Sequence, residues 1–221
     1  MRYGLWLSMT SLKLSSLEEE QNPFVDHRYL IKGSIYKTMQ KVETNKTTVV
    51  FAGDSITEFG NWEEFFREVV TYNRGICGDT VKGLTKRLDD IKTLEPNKMF
   101  VLIGVNDFSV RFNADEVIAN YQVLLQKLKD DFTHTTIYIQ SILPVIGGSF
   151  EFIKDNVGIC KVNQYLESVA PKFDFTFINL YEHFLDKTKN EMKQEYTADG
   201  VHVNAKGYAL WCDLIKPYIL N

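Results

Sequence analysis

The sequence predicts an α/β protein, a three-layer α/β/α sandwich around a five-stranded parallel sheet of strand order 2-1-3-4-5. Three observations predict it. From Thr47 onward, short β-rich runs alternate with segments of helical period, and that alternation builds parallel strands joined by crossover helices. The apolar run Thr48-Val49-Val50-Phe51-Ala52 stops at Gly53-Asp54-Ser55, and the carboxyl edge of a parallel sheet is where open α/β folds place their ligands. At 221 residues, with nothing after Val49 that reads as a Pro-, Gly- or Ser-rich linker, the chain suits one sizeable core.

Residues 1 to about 22 are polar and carry Glu18-Glu19-Glu20, which fits a loose extension, a helix on the outside or a remnant of a longer parent. From His27 to Val42 the apolar residues Leu30, Ile31, Ile35, Tyr36, Met39 and Val42 recur at helical spacing and predict a helix lying against the domain. The strands are expected at Thr47 to Ala52, Val69 to Asn73, Met99 to Ile103, Thr136 to Leu143 and Phe175 to Leu180. Between and after them, helices are expected over Trp62 to Glu68, Thr80 to Leu94, Asp115 to Asp130, Ile153 to Ala170 and Asn204 to Ile215. Asn113 or Asp115 can cap the helix that begins near 115, and Asn204 the last one. Right-handed crossovers then give the three-layer sandwich, and 2-1-3-4-5 is the strand order expected by analogy with doubly wound folds.

Composition excludes several classes. A formal charge of −4 and an isoelectric point near 5.6 argue against a nucleic-acid face, and the stretch Asp186 to Glu195 mixes both signs as a solvated surface does. Cys77, Cys160 and Cys212 are odd in number and lack C-x-x-C spacing, which suits reduced thiols in a cytoplasmic compartment rather than a disulfide framework or zinc site. Ser8, Thr10, Ser11 and Lys13 interrupt the apolar start, so neither a signal peptide nor a membrane span is expected. No phosphate loop, H-E-x-x-H or G-x-G-x-x-G is present, and no cofactor is expected.

Gly53-Asp54-Ser55 alone reads equally as a turn whose Asp and Ser cap the next segment. Its partners give it chemistry. A serine hydroxyl is a poor nucleophile until a base takes its proton. Of the four histidines, only His202, in Asp199-Gly200-Val201-His202, sits between an aspartate three residues earlier and an asparagine, Asn204, that can start the last helix; His202 can take the proton and Asp199 can fix the ring tautomer. His27, His134 and His183 read as structural or solvated. Gly78, just before a helix starting at Thr80, can offer its N–H near a positive helix end. Asn106, in Gly104-Val105-Asn106-Asp107, can offer an amide, or can merely tie its loop to nearby backbone. With the Ser55 N–H these make three oxyanion donors, each worth roughly 3–4 kcal/mol at a transition state.

The order Gly53-Asp54-Ser55, Gly78, Gly104-x-Asn106-Asp107, Asp199-x-x-His202, with Gly207-Tyr208 beyond it, resembles the GDSL esterase/lipase family in its SGNH hydrolase branch. The resemblance spans about Thr47 to Leu214. It implies a flavodoxin-like fold and metal-free, cofactor-free ester hydrolysis, with Ser55 as nucleophile, His202 as base, Asp199 as its orienter, and Gly78 and Asn106 in the oxyanion hole. Cys77 stands where relatives often have Ser, and Val105 where they often have Thr; neither touches a catalytic group.

The domain division expected is residues 1–45 as an extension and 46–221 as the hydrolase domain. Trp62, Arg74 and Phe108 are candidate substrate contacts, Asp54 and Asp107 loop braces, and Pro144 to Phe152 a mobile rim. No long apolar lid segment is evident, so short acyl esters are expected. Within the family the chain resembles platelet-activating-factor acetylhydrolase-like acylhydrolases and carbohydrate O-acetylesterases. The expected substrate is therefore an acetyl ester, with an O-acetylated sugar such as a sialic acid or cell-wall glycan as the analogy-based choice. A lysophospholipase, thioesterase or acyltransferase on the same site, or a non-catalytic carbohydrate-binding domain, are the rivals; oligomeric state is left open.

Overall fold

The computed structural model describes residues 23–39, 41–148 and 156–221, with the side chains of the first helix from residue 29. The polar amino-terminal stretch, the end of the Pro144–Phe152 rim and the start expected for the helix at Ile153 lie outside the described residues.

Five parallel strands form the sheet: β1 (Thr48–Gly53), β2 (Val70–Gly75), β3 (Lys98–Leu102), β4 (Thr136–Gln140) and β5 (Thr176–Ile178), in the order β2-β1-β3-β4-β5. This is the predicted order. β1 is central and buried at every position, in register with Gly75 and Leu102 at its Gly53 end. The loops after β2 and β3 therefore rise on either side of the segment that leaves β1.

The helices are α1 (Pro23–Thr38), α2 (Ser55–Glu58), α3 (Trp62–Phe65), α4 (Val81–Lys86), α5 (Leu88–Lys92), α6 (Val105–Ser109), α7 (Ala114–Asp131), α8 (Val157–Val169), α9 (Tyr181–Phe184) and α10 (Ala205–Leu220). Asn113 caps α7 through a reciprocal capping box with Glu116, and Asn204 caps α10 by accepting from Gly207 N–H, as their side chains allow.

Four expectations need correction. The helix expected over Thr80 to Leu94 breaks at Arg87, whose φ of −110° and ψ of 10° leave the helical region and separate α4 from α5. β4 ends at Gln140 rather than Leu143, and the chain then runs on as buried loop. The Asp186–Glu195 stretch is not only solvated surface: β6 (Leu185–Asp186) and β7 (Glu191–Met192) pair as an antiparallel hairpin that buries Met192. Finally, of the apolar residues expected to dock α1, only Tyr36 is buried, while Leu30, Ile31, Ile35, Met39 and Val42 are exposed. Two phenol hydroxyls set the helix's docking face: Tyr29 Oη donates to Gly83 O at 3.0 Å and Tyr36 Oη to Gly75 O at 2.9 Å. Tyr29 and Tyr36 are two turns apart on one face, so the aliphatic residues turn outward.

Candidate active site

β1 delivers Ser55 to the carboxyl edge of the sheet. Asp54 caps α2, its Oδ1 accepting the Ile56 N–H at 2.9 Å, and this sharp entry sets Ser55 as the first helical residue. α2 rests on β2: a Cβ at Gly75 would lie 2.2 Å from Glu58 N and 2.8 Å from Asp54 O, so glycine is needed for this approach. Asn73 holds the other end. Its Nδ2 donates to the carbonyls of Thr57, Glu58 and Gly60 at 2.9–3.0 Å, gripping the carbonyl end of this short helix, where such groups need partners from outside the helix.

His202 comes from the turn before α10. Its ring meets Ser55 Oγ through Nε2 at 3.0 Å and Asp199 Oδ2 through Nδ1 at 2.6 Å. Asp199 Oδ1 also accepts the backbone N–H groups of Val201 and His202. Partial burial pushes the Asp199 carboxyl up, but the hydrogen bonds from the His202 ring and these two N–H groups outweigh it and hold the carboxyl below its ordinary range. An ionised carboxylate only accepts, so Nδ1 must donate and the Nε2 lone pair faces the serine hydroxyl. Thr197 Oγ1 pins the turn to His202 O. Tyr208 Oη, on α10, donates to Ile56 O at 2.7 Å, linking the histidine-bearing end of the chain directly to the serine helix.

The flanking loops carry Gly78 and Asn106. Gly78 has a φ of +79°, a conformation glycine adopts freely. Thr80 caps α4 just beyond it. Asn106 lies in the first turn of α6 and is 8% exposed. Its Nδ2 donates to Asp79 O at 2.9 Å, so one amide hydrogen ties its loop to the opposite flank. Asp107 Oδ2 makes a second tie to the same flank by accepting the Val81 N–H.

Beneath these loops sits a group of buried acids. Asp54, Asp79 and Asp107 are each at most 3% exposed, and Arg87 is their close cationic partner, through Asp79. Burial pushes the Asp54 carboxyl up to about 8, with the Asp79 and Asp107 charges adding to it. Burial likewise pushes Asp107 up to about 7. Both brace loops, as the sequence suggests.

Two of the three candidate substrate contacts belong to the core instead. Trp62 is 1% exposed, stacks on Phe51 with ring centroids 4.1 Å apart and donates its indole N–H to Thr57 O. Arg74 is 2% exposed and lies between the rings of Tyr36 and Tyr72, at 4.5 and 5.3 Å. Phe108 remains partly exposed, its ring against Gly158 at the start of α8. Sequence reasoning missed three residues that shape the site: Asn73, Arg87 and Phe59, whose ring lies against His202 at a centroid distance of 5.4 Å. A groove of about 640 Å³ runs beside the β6/β7 hairpin, bordered by Ile146, and is lined by neither Ser55 nor His202.

A parallel sheet that presents a Ser–His–Asp chain at its carboxyl edge defines a hydrolase of the α/β/α type. The chain belongs to the GDSL-like lipase/acylhydrolase family, whose family model matches residues 51–210. It is 26% identical over 175 residues to the N-acylneuraminate cytidylyltransferase of Streptococcus agalactiae serotype V, a match that takes in 76% of this chain and only 39% of that protein. Platelet-activating factor acetylhydrolase IB subunit alpha2 of Homo sapiens is 24% identical over 179 residues, 78% of this chain and 76% of that one. A solved GDSL-like lipase from Bacteroides thetaiotaomicron VPI-5482 superposes with a TM-score of 0.74 at 26% identity, covering 86% of this chain and 96% of the other. Among the described residues, no helix is long and apolar enough to cross a membrane.

Proposed function

We propose that the chain hydrolyses short-chain esters, acetyl esters above all, through an acyl-enzyme on Ser55. The observation that carries this reading is the continuous hydrogen-bonded chain from Asp199 through His202 to Ser55, at 2.6 and 3.0 Å. As Ser55 Oγ attacks the ester carbonyl carbon, its proton passes to His202 Nε2, and the imidazolium is stabilised by the ionised Asp199. The carbonyl oxygen becomes an oxyanion facing the Ser55 N–H, the Gly78 N–H and the free Asn106 amide hydrogen. Collapse breaks the bond to the alcohol oxygen, which takes the proton from Nε2. Water repeats the sequence and releases the acid.

The alcohol we propose is an O-acetylated carbohydrate. The acetyl preference is supported by the relative named an acetylhydrolase. An O-acetylated N-acylneuraminate is favoured by the relative that acts on N-acylneuraminate and carries a segment matching most of this chain.

The test is hydrolysis of p-nitrophenyl esters from acetate to decanoate by wild type and Ser55→Ala, with acetate release from O-acetylated N-acylneuraminate measured next. Turnover that falls steeply beyond butyrate and vanishes in the variant is expected. Undiminished turnover in Ser55→Ala removes Ser55 from the mechanism, and absence of acetate release removes the sugar.

A further inference from the structure

Phe59 closes the serine helix. Its backbone N–H donates to Ser55 O and Thr57 O, and Asn73 grips the carbonyls on either side of it, at Glu58 and Gly60. Its Cα is thereby fixed one turn beyond the nucleophile. Its ring nevertheless stays 47% exposed, tilted 42° against the His202 imidazole with centroids 5.4 Å apart. A single exposed aromatic ring is ordinary on a protein surface. Its placement against this particular histidine, on a backbone so firmly held, is what gives it meaning.

In the acyl transfer proposed above, the alcohol oxygen must come within hydrogen-bond reach of His202 Nε2 to collect its proton. The carbonyl oxygen points the other way, to the flank of Gly78 and Asn106. The group carried on the alcohol oxygen therefore passes on the His202 side, where the Phe59 ring lies. We infer that Phe59 is a specificity-determining residue for the alcohol half of the ester: its exposed face is a platform that favours alcohols with a broad apolar face, an aryl ring or the C–H face of a sugar, over small alkyl alcohols. The acyl half is read elsewhere. This inference rests on the esterase reading of Ser55 and His202.

The experiment compares kcat/KM of wild type, Phe59→Ala, Phe59→Leu and Phe59→Trp on phenyl acetate, ethyl acetate and phenyl butyrate. Dividing each variant by wild type cancels the intrinsic reactivity of the leaving groups. Phe59→Ala is expected to lose about three- to tenfold on phenyl acetate, the scale of one aromatic contact, with ethyl acetate changed less than twofold and the acetate-to-butyrate ratio unchanged. Phe59→Leu should lose part of the aryl preference and Phe59→Trp should keep it. Equal losses on phenyl and ethyl acetate would mean that the ring only steadies His202, and a shifted acetate-to-butyrate ratio would put it on the acyl side; either overturns the inference while the esterase reading stands. A wild type that turns over none of the three esters overturns both.

Discussion

Arg87 Nε donates to Asp79 Oδ2 at 2.7 Å, with the two side chains 5% and 1% exposed. The same guanidinium donates from Nη1 to Arg74 O and from Nη2 to Gly53 O. One cation thus joins the last residue of β1 and the next-to-last residue of β2 to the residue after Gly78, at the point where the serine leaves the sheet. A planar, forked donor serves three acceptors at once, which an ammonium cannot do in this geometry.

Replacing Arg87 by Met leaves Asp79 buried without its counterion. The expected cost is roughly 3–5 kcal/mol of unfolding free energy, read from urea denaturation. Arg87→Lys should recover only part of it, and the double variant Arg87→Met/Asp79→Asn should be less damaged than Arg87→Met alone. A loss below about 1 kcal/mol would show that the pair contributes little.

In the proposed mechanism Asn106→Ala removes a donor to the developing oxyanion. The expected effect is a fall in kcat of about 10²–10³ with a smaller change in KM, measured on p-nitrophenyl acetate. A change confined to KM would make Asn106 a ground-state binding residue.

Asp199→Ala should lower kcat/KM by on the order of 10², because the carboxylate selects the tautomer of His202. The His202 N–H and Val201 N–H also lose their acceptor in this variant. A loss under threefold would mean that the turn alone holds the ring.

The Asp54 carboxyl, pushed up to about 8 mainly by burial, keeps its proton in the folded protein where an unfolded chain releases it near pH 4. Between those values the unfolded state binds fewer protons than the folded one, so folding stability falls as pH rises from about 4 to about 8 and levels off above. Asp54→Asn retains a carbonyl to accept the Ile56 N–H but cannot ionise. Its unfolding free energy relative to wild type should therefore rise across that window, by on the order of a few kcal/mol, in urea melts at pH 4 and pH 8. A pH-independent difference would show that the buried carboxyl titrates normally.

The strand periods, both helix caps and the Asp199–His202 spacing were legible because each is a local pattern: a period, a capping residue or a turn; the sheet order is not local and came by analogy with doubly wound folds. Arg87 and Asp79 were not, since an arginine within a mixed helical segment looks like a solvated charge until β1 and β2 bring carbonyls to it. The one signal on offer was Asp79 directly before a capping Thr80, with Arg87 two turns on. Trp62 reads as a substrate contact because it lies soon after the serine block, yet its ring folds back onto Phe51. Phe59 gave no sign of its place, because only the docking of α10 brings His202 beside it. The α1 stripe misled because helical period shows that a face exists and not which face docks. The β6/β7 hairpin, with two residues per strand, is too short to register as a pattern.

The hydrogen bond from Asn106 to the Asp79 carbonyl makes the two walls of the site a single part. An insertion between Gly75 and Thr80, or a loop graft there, would carry the Gly78 N–H and the Asn106 amide along together. Protein engineers thus have one adjustable setting where the sequence suggests two, and selectivity is better tuned from the histidine side, at Phe59, where a side chain can be exchanged without disturbing that mount.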